Sequence, residues 1–447
     1  MGNSKLVRSK DNIKNSGEVF TPTHIVDVML DLIPDHVWND PEYVFIEPSC
    51  GNGQFIERIY RRRVEAGIDP QRAIDTLIGL DISNQNILDS QQRIGDGVDI
   101  TTLIVVNDSL VILDEYKRGA GILSKYDLTK CVVVGNPPYQ IFDAGDSSMS
   151  KPLYHLFIEA IIDSISPDYF SFVIPSRWML GGKGLDAHRT RMMNDTHMRK
   201  IVHFKNPRIV FPDVGIAGGV NYFLWDKSYS GPCEFVVGNT STTRYLNSHD
   251  IIIQDNNSFG IVDRVLKQST SMVSSKCTSS NPFGLRGNYS GFVPSGVPCV
   301  CQNRTIKYVD PTAYSDRYGF VGKWKVVTGR VTSEGNIKES LAGYIVVLTN
   351  MFIIEPGSVC IDSYIVVNSF DTETEAMNFL GYMKTKFFRF MLSLRVSGID
   401  ISKDKFAWVP ELHDYSHPIN DNFIYLLFGV SDIDRNYIDV RIRELKD

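Results

Sequence analysis

A rigid polar turn follows a strongly apolar run in the first half of the chain. Val132-Val133-Val134-Gly135 has the composition of a buried strand, and Asn136-Pro137-Pro138-Tyr139 follows it directly. Two successive prolines cannot donate to a strand ladder, and they fix the backbone of the turn. The Asn136 side-chain oxygen and the Pro137 carbonyl can then accept the two hydrogens of an amino group on an aromatic ring.

Such an amino group is a poor nucleophile because its lone pair is delocalised into the ring. Acceptors that hold its hydrogens let the nitrogen pyramidalise and expose the lone pair to a methyl donor. Tyr139 offers an aromatic face on which a base taken out of its stack can lie. Residues 136–139 therefore predict transfer to an amino nitrogen, without a metal or a covalent intermediate.

A glycine turn upstream predicts a small-molecule site. Glu47-Pro48-Ser49-Cys50-Gly51-Asn52-Gly53 follows an apolar run, and its glycines allow a ligand to approach the backbone closely. Ile56 stands where a nicotinamide-binding loop has its third glycine. Gly182-Lys183 is followed by Gly184 and not by Ser or Thr, so it is no phosphate-binding Walker loop. A plain glycine turn is the alternative interpretation.

Two acidic residues end the next apolar runs. Asp81 follows residues 77–80, where a carboxylate can accept hydrogen bonds from both hydroxyls of a ribose. Asp108 follows residues 103–106, where it can accept a bond from an adenine amino group. A helix N-cap for Asp81 and a turn former for Asp108 are the alternatives.

Short apolar runs alternate with helical stretches up to about residue 225. This alternation predicts an α/β fold with a doubly wound sheet, whose ligands bind beyond the carboxyl ends of the strands. The predicted strands cover residues 43–46, 77–80, 103–106, 132–134, 170–174, 201–204 and 222–225.

The order of these motifs resembles a known family. Gly17-Glu18-Val19-Phe20-Thr21-Pro22 precedes the first strand, the glycine turn follows it, and Asn136-Pro137-Pro138-Tyr139 comes later. The chain is similar to S-adenosylmethionine-dependent amino-methyltransferases of the gamma arrangement, the type II DNA N6-adenine methyltransferases of restriction-modification systems. The resemblance implies that Asn136, Pro137, Pro138 and Tyr139 are catalytic. It implies cofactor binding by Phe20, Thr21, Pro22, Glu47, Ser49, Gly51, Gly53, Asp81, Ile82 and Asp108.

A later motif of the family has a weaker counterpart. Val210-Phe211-Pro212, followed by Val220-Asn221-Tyr222, is similar to the segment in which a phenylalanine stacks on the flipped adenine. The resemblance implies that Phe211 and Tyr139 enclose the target base. A phenylalanine of the core is the alternative.

The resemblance also implies two domains. Residues 1–228 are predicted to form a Rossmann-like S-adenosylmethionine-dependent methyltransferase domain, and residues 229–447 a mixed α+β target-recognition domain that binds DNA. The boundary is the Ser/Gly/Pro-rich stretch at 227–232. Residues 373–395 are predicted to form one amphipathic helix. Arg286, Lys325, Arg330 and Arg395 are the candidates for guanine or phosphate contacts, with surface salt bridges as the alternative.

Composition restricts the partners and the location. The net charge of −6 over 447 residues excludes a protein that coats DNA by charge alone, so any DNA contact must be local. Seven cysteines, none at CxxC spacing, predict a reduced cytoplasmic protein without a metal site. Residues 1–16 are polar and lack the apolar core expected of a signal peptide, and the longest apolar stretch, residues 344–354, is too short for a bilayer. A prokaryotic or phage-infected cell is the expected setting.

We therefore expect a site-specific adenine methyltransferase that acts on double-stranded DNA and takes the target base out of the helix. A cognate restriction endonuclease, where one exists, is expected to be a separate protein. The alternatives are transfer to the cytosine amine, to an RNA base or to a protein glutamine, and a noncatalytic DNA-specificity subunit.

Overall fold

The chain forms two compact units, Met1–Asn256 and Asn257–Asp447. The computed structural model describes residues 20–95, 100–142, 150–182, 184–216, 218–331, 344–396 and 400–445. Each unit has its own β-structure and its own apolar core.

A nine-stranded sheet forms the centre of the first unit. Its order is β11-β10-β8-β9-β7-β4-β1-β2-β3. The strands are β1 (Val44–Glu47), β2 (Leu77–Asp81), β3 (Leu103–Val105), β4 (Cys131–Gly135), β7 (Tyr169–Pro175), β8 (Met198–Phe204), β9 (Val220–Asp226), β10 (Cys233–Val237) and β11 (Thr240–Arg244). A separate hairpin pairs β5 (Gln140–Phe142) with β6 (Ser150–Pro152).

Helices pack on both faces of this sheet. Alternate residues of β4 enter different cores: Cys131 and Val133 join one apolar cluster, and Val132 and Val134 join the other. This alternation follows from the two-residue period of a strand. The helices are α1 (Thr23–Leu30), α2 (Asp35–Trp38), α3 (Gln54–Glu65), α4 (Pro70–Asp75), α5 (Asn84–Ile94), α6 (Ser109–Lys117), α7 (Tyr154–Ser164) and α8 (Asp186–Asn194).

The predicted doubly wound α/β fold is confirmed, and all seven predicted strands are present. The chain runs from β1 to β2 and β3 on one side and continues with β4 and β7 on the other. The order therefore reverses between β1 and β4, which pair in parallel from Val44 with Cys131 to Ile46 with Val133. A crevice beyond the carboxyl ends of two such strands is where this architecture binds ligands.

The first unit extends beyond the boundary predicted at residue 228. Residues 233–244 form β10 and β11, and β10 pairs in parallel with β8. Phe235 is fully buried in the core of the sheet, and Arg244 lies over its ring at 4.3 Å. The Ser/Gly/Pro-rich stretch is thus a turn between strands of one sheet, and the chain passes from the first unit to the second after Asn256.

The second unit is mixed α and β. One four-stranded sheet has the order β12-β14-β13-β17, and an antiparallel three-stranded sheet has the order β16-β15-β18. The strands are β12 (Phe292–Val293), β13 (Val297–Val300), β14 (Ile306–Val309), β15 (Trp324–Gly329), β16 (Met351–Ile354), β17 (Val359–Cys360) and β18 (Tyr364–Phe370). The helices are α9 (Asn256–Gln268), α10 (Glu373–Lys384), α11 (Lys386–Ser393), α12 (Asp421–Leu427) and α13 (Asp432–Arg441).

The single helix predicted over 373–395 is two helices. Thr385 has φ −58° and ψ 152°, and it ends α10 and caps α11. Its hydroxyl accepts a hydrogen bond from the Phe388 amide, and Asp421 accepts from the Lys386 and Phe387 amides. These acceptors satisfy the free amides of a new helix start, which is why the break costs little. Among the described helices, none combines the length and apolar character needed to cross a bilayer.

Candidate functional site

A cavity of about 680 Å³ opens at the carboxyl ends of β1, β2 and β4. Its volume is that of a small-molecule site, for which roughly 300–1,000 Å³ is usual. Three segments predicted from the sequence meet in its wall. Of the predicted residues, it is lined by Phe20, Thr21, Glu47, Ser49, Gly51, Asp81, Ile82, Asp108, Asn136, Pro137, Pro138 and Tyr139.

The turn after β1 is shaped by glycine and tied to α5. Gly53 has φ +84°, and a Cβ at this position would lie 2.7 Å from the Ser90 backbone. Any side chain would therefore meet both conformational strain and a clash. Ser90 in turn donates a hydrogen bond to the Gly51 carbonyl at 3.1 Å. Gly53 does not line the cavity, so its contribution is to the shape of the turn.

Asp81 holds the glycine turn and the start of the segment after β2 together. One carboxylate oxygen accepts from the Gly51 amide at 2.9 Å. The other accepts from the Ser83 amide at 2.8 Å and from the Asn86 side chain at 3.0 Å. Asp81 therefore does not cap α5, whose N-cap is Ser83. Its position in the wall is compatible with a ligand hydroxyl, and it also has a structural role.

Glu47 is a buried carboxylate with an incomplete set of partners. Its side chain is 2% exposed, and within the described residues Oε2 has no hydrogen-bond partner. Burial, and next the charge of Asp81, raise the pKa of Glu47 well above its ordinary value. A carboxylate that is desolvated beside another acid is stabilised when a cation binds.

The wall of the cavity is acidic. Glu47, Asp81 and Asp108 contribute carboxyl groups, and the described lining residues include no Lys, Arg or His. A ligand with phosphate groups would meet repulsion here, whereas a cationic ligand would be attracted. Across the described part of the chain, no three His, Cys, Asp or Glu side chains converge as a metal site requires.

The catalytic turn predicted from the sequence lies beside the glycine turn. The Ser49 hydroxyl donates to the Asn136 carbonyl at 3.2 Å, which joins the segments after β1 and β4. The Tyr139 carbonyl accepts from the Leu153 amide at 3.0 Å, where α7 begins. Burial raises the pKa of the Tyr139 hydroxyl well above its ordinary value, so this group stays neutral.

The other predicted residues of the first unit lie at the margin of the cavity or behind it. Phe20 lies against Gly51, and Pro22 caps α1. Asp108 is exposed and caps α6 through the Leu110 amide at 2.8 Å, a helix-capping role that neither of its sequence interpretations named. Phe211 is 2% exposed, does not line the cavity and packs edge-on against Tyr139 at 6.2 Å. Residues 17–19 lie outside the described residues.

The sequence analysis missed half of the cavity wall. Several of these residues, such as Ser83 and Asn107, lie two residues after a strand end, so the rule that placed Asp81 could have found them. Leu153 and Phe157 come from the segment after the β5–β6 hairpin, which no motif marks. The additional lining residues are Pro48, Cys50, Gln54, Phe55, Ser83, Asn86, Asn107, Ser109, Leu110, Gln140, Ile141, Leu153 and Phe157.

Two of the four predicted DNA contacts in the second unit are buried. The Lys325 ammonium donates to the carbonyls of Phe320, Val321, Lys323 and Glu355 at 2.7–3.2 Å. Burial lowers the pKa of Lys325 to about 8. Arg395 is 8% exposed, donates to the Asp404 carbonyl and lies over Trp408 at 4.8 Å. The burial of Lys325 and Arg395 contradicts their prediction as DNA contacts, and both cations stabilise the fold of the second unit. For Lys325, four backbone carbonyls also stand in place of the surface salt bridge.

Arg286 and Arg330 remain predictions as DNA contacts. Arg330 is half-buried and donates to the Asp362 carbonyl at 3.2 Å. Arg286 is exposed, and only its backbone carbonyl has a hydrogen-bond partner in the described part of the chain.

Glu47 should make the stability of the ligand-free protein depend on pH. Unfolded Glu47 ionises near 4.5, but its folded-state pKa is raised. Above 4.5 the folded state therefore binds more protons than the unfolded state, and stability falls as the pH rises towards the folded-state pKa. In urea denaturation, the stability of Glu47→Gln relative to wild type should increase as the pH rises above about 4.5. The exposed Glu65→Gln is the matched control, and a parallel pH dependence of wild type and Glu47→Gln would contradict this account.

Comparison with known proteins identifies relatives for part of the chain. Residues 124–211 match the Eco57I restriction-modification methylase family. An uncharacterised adenine-specific methylase of Mycoplasma pneumoniae is 30% identical over 125 residues, which are 26% of this chain and 28% of that protein. Modification methylase CviBIII of Paramecium bursaria Chlorella virus NC1A is 26% identical over 177 residues, 38% of this chain and 40% of that protein. The matched regions thus span less than half of these curated relatives.

Solved structures with a similar fold belong to restriction-modification enzymes. The type IIL enzyme MmeI, in complex with DNA, aligns with a TM-score of 0.47 at 11% identity, covering 84% of this chain and 66% of that one. The type IIG restriction endonuclease BpuSI aligns with a TM-score of 0.43 at 12% identity, covering 96% of this chain and 61% of that one. The resemblance to restriction-modification methylases predicted from the sequence is confirmed over residues 124–211, the segment that contains Asn136-Pro137-Pro138-Tyr139 and Phe211.

Proposed function

We propose that the chain is a site-specific DNA adenine methyltransferase that uses S-adenosylmethionine. The observation that carries the proposal is the single cavity in which the acidic turn after β1 and the Asn-Pro-Pro-Tyr turn after β4 meet. One of these turns suits a cationic small molecule, and the other suits an amino group on an aromatic ring. The match to the Eco57I methylase family over residues 124–211 supports the same reaction.

The acidic wall fits S-adenosylmethionine better than a nucleotide cofactor with phosphates. S-adenosylmethionine carries an ammonium and a sulfonium group, and Glu47 offers a desolvated carboxylate with Oε2 unpartnered among the described residues. The Thr21 hydroxyl oxygen is likewise buried and without a hydrogen-bond partner there. We assign Glu47, Thr21 and the glycine turn to the methionine part, and Asp81 with Ile82 to the ribose side.

The chain's own residues prepare the target amine. Asn136 Oδ1 and the Pro137 carbonyl accept the two hydrogens of the adenine amino group, so that the nitrogen pyramidalises and its lone pair becomes available. Tyr139 supports the base from one face. When bound, S-adenosylmethionine supplies the electrophilic methyl group. Because residues 136–139 are held by prolines and by the Ser49 contact, little reorganisation is needed when the amine arrives.

Duplex DNA is the proposed substrate, and the target adenine must leave the stack to reach Asn136. Extrusion costs a few kcal/mol, which phosphate and groove contacts must offset. A second unit of the size of a domain, Asn257–Asp447, is available for such contacts. We assign sequence recognition to this unit and place Phe211 behind Tyr139, where it supports the aromatic surface instead of stacking on the base itself.

Asn136→Ala should separate cofactor binding from transfer. The substitution removes one of the two acceptors for the amino group, and loss of a comparable preorganised group lowers kcat by about 10²–10³. Transfer of labelled methyl groups to unmethylated genomic DNA should fall accordingly, while the Kd for S-adenosylmethionine stays at the wild-type value. The exposed Asn194→Ala is the control. A collapse of cofactor affinity in Asn136→Ala would place this residue in the cofactor site.

Glu47→Gln should weaken S-adenosylmethionine binding although it relieves a buried charge. Losing a charge-assisted hydrogen bond costs about 1.5–3 kcal/mol, which corresponds to a roughly ten- to hundredfold higher Kd. Calorimetric titration of wild type, Glu47→Gln and the exposed control Glu65→Gln measures this change. An unchanged Kd in Glu47→Gln would remove Glu47 from the cofactor site.

A further inference from the structure

Arg177 lies at the same edge of the sheet as Asn136. It is the second residue after β7, the parallel neighbour of β4, and the two strands pair up to Gly135 with Phe172. Parallel strands present their carboxyl ends at one edge, so the segments that follow them emerge side by side. The Tyr139 hydroxyl reaches the Val173 carbonyl on β7 at 3.5 Å, which joins the two segments.

A buried polar network fixes the backbone just before Arg177. The Asn221 side chain donates to the Ser176 hydroxyl at 3.1 Å, and this hydroxyl contacts His203 Nδ1 at 2.9 Å. All three side chains are buried, and burial lowers the pKa of His203 to about 3, so the imidazole is neutral and can accept from Ser176. The network holds Ser176 in place, and with it the backbone from which the Arg177 side chain extends.

The glycine-rich segment beside Arg177 is held by the same network. The Ser176 amide donates to the Gly219 carbonyl at 2.9 Å. A Cβ on Gly219, whose φ is +86°, would lie 2.6 Å from the Phe204 carbonyl oxygen, so this close approach requires glycine. Gly218 lies against the Arg177 backbone. The position of Arg177 is therefore determined from both sides.

The guanidinium of Arg177 has no counterion in the described part of the chain. Its side chain is half-buried, and Nε is buried without a hydrogen-bond partner. Two other arginines of this unit pair with carboxylates: Arg191 donates to both Asp163 oxygens at 2.6 and 3.0 Å, and Arg199 contacts Asp226 at 2.9 Å. An unsatisfied buried donor on a charged group costs at least about 1–3 kcal/mol. Such a group is expected where a ligand completes its bonds.

Arg177 is close to the aromatic residues around the catalytic turn. Burial raises the pKa of the Tyr154 hydroxyl, and the nearby charge of Arg177 opposes this effect. The Tyr154 ring is 6.5 Å from the Tyr139 ring. Arg177 is thus near Tyr154, whose ring neighbours the Tyr139 surface that we assign to the target base. Arg177 does not line the acidic cavity assigned to the cofactor.

We propose that Arg177 binds a phosphate of the DNA strand that carries the target adenine and so positions the extruded nucleotide at Asn136. This inference rests on the proposed function and adds a positioning residue to it. The planar guanidinium can donate two parallel hydrogen bonds to phosphate oxygens. Extrusion turns the flanking phosphates towards the protein, and a chain with a net charge of −6 needs such local cations to hold them.

Salt-dependent kinetics test this assignment with Arg177→Gln, Arg177→Lys and the paired control Arg191→Gln. Methyl transfer to genomic DNA from a host without adenine methylation is measured over a range of salt concentrations. For Arg177→Gln, kcat/KM should fall roughly ten- to hundredfold. The slope of log(kcat/KM) against log salt concentration should become shallower by about one, which is the change expected when one phosphate contact is lost. The Kd for S-adenosylmethionine should not change, and Arg191→Gln should behave as wild type.

Arg177→Lys keeps the positive charge but loses the planar guanidinium that can donate two parallel hydrogen bonds. Its kcat/KM should therefore lie between those of wild type and Arg177→Gln. Should Arg177→Gln fail to fold, Arg177→Lys decides: a lower kcat/KM at an unchanged Tm supports the assignment, and wild-type kinetics overturn it. An unchanged kcat/KM and salt slope in folded Arg177→Gln also overturn it, as does a loss of cofactor affinity alone. A wild-type protein that methylates no DNA would contradict the proposed function itself.

Discussion

Parallel pairing of β1 with β4 is the constraint on which the site depends. Ser49 and Asn136 are 87 residues apart in sequence, yet a single hydrogen bond of 3.2 Å joins them because their strands end side by side. Neighbouring parallel strands require long crossover connections, which here run through β2, β3 and the helices on the faces. The reversal of strand order opens a crevice at this point, and the turns to which we assign the cofactor and the target amine both line it.

The electrostatics of the first unit follow from that arrangement. Glu47 and Asp81 end adjacent strands, so their carboxyl groups lie close enough for Asp81 to raise the pKa of Glu47. This destabilises the empty cavity and favours a cationic ligand. The positive charge needed for a polyanion lies outside the cavity, at residues such as Arg177. In the proposed function, this separation of charge gives the cationic cofactor and the DNA phosphates different sites on the same unit.

Much of the fold and of the site could be predicted because local signals decide them. Apolar runs ending in glycine, acid or Asn-Pro-Pro predicted the seven strands and about half of the cavity wall. The predicted domain boundary was wrong because a turn rich in Ser, Gly and Pro has the same composition whether it joins two strands or two units. The predicted long helix was wrong because only tertiary contacts, such as Asp421 with the α11 amides, make a break at Thr385 favourable.

Long cationic side chains were the least predictable from sequence. Lys325 lies on β15 between the half-buried Trp324 and the buried Val326, and four backbone carbonyls surround its ammonium. Arg177 had no motif of its own, and only the absence of a partner in the described structure distinguishes it from Arg191. Whether an ammonium or a guanidinium finds hydrogen-bond partners depends on groups that are distant in sequence. The surroundings of Lys325 and Arg177 therefore could not be predicted from residue spacing or propensity.

The most direct test of the central claim is to express the protein in a host that lacks adenine methylation and to sequence the genomic DNA by a modification-sensitive single-molecule method. The account predicts N6-methyladenine confined to one short sequence motif, and no modification with Asn136→Ala. Unmodified DNA, in cells that contain folded protein able to bind S-adenosylmethionine, would contradict it and direct the search to RNA or a protein amide.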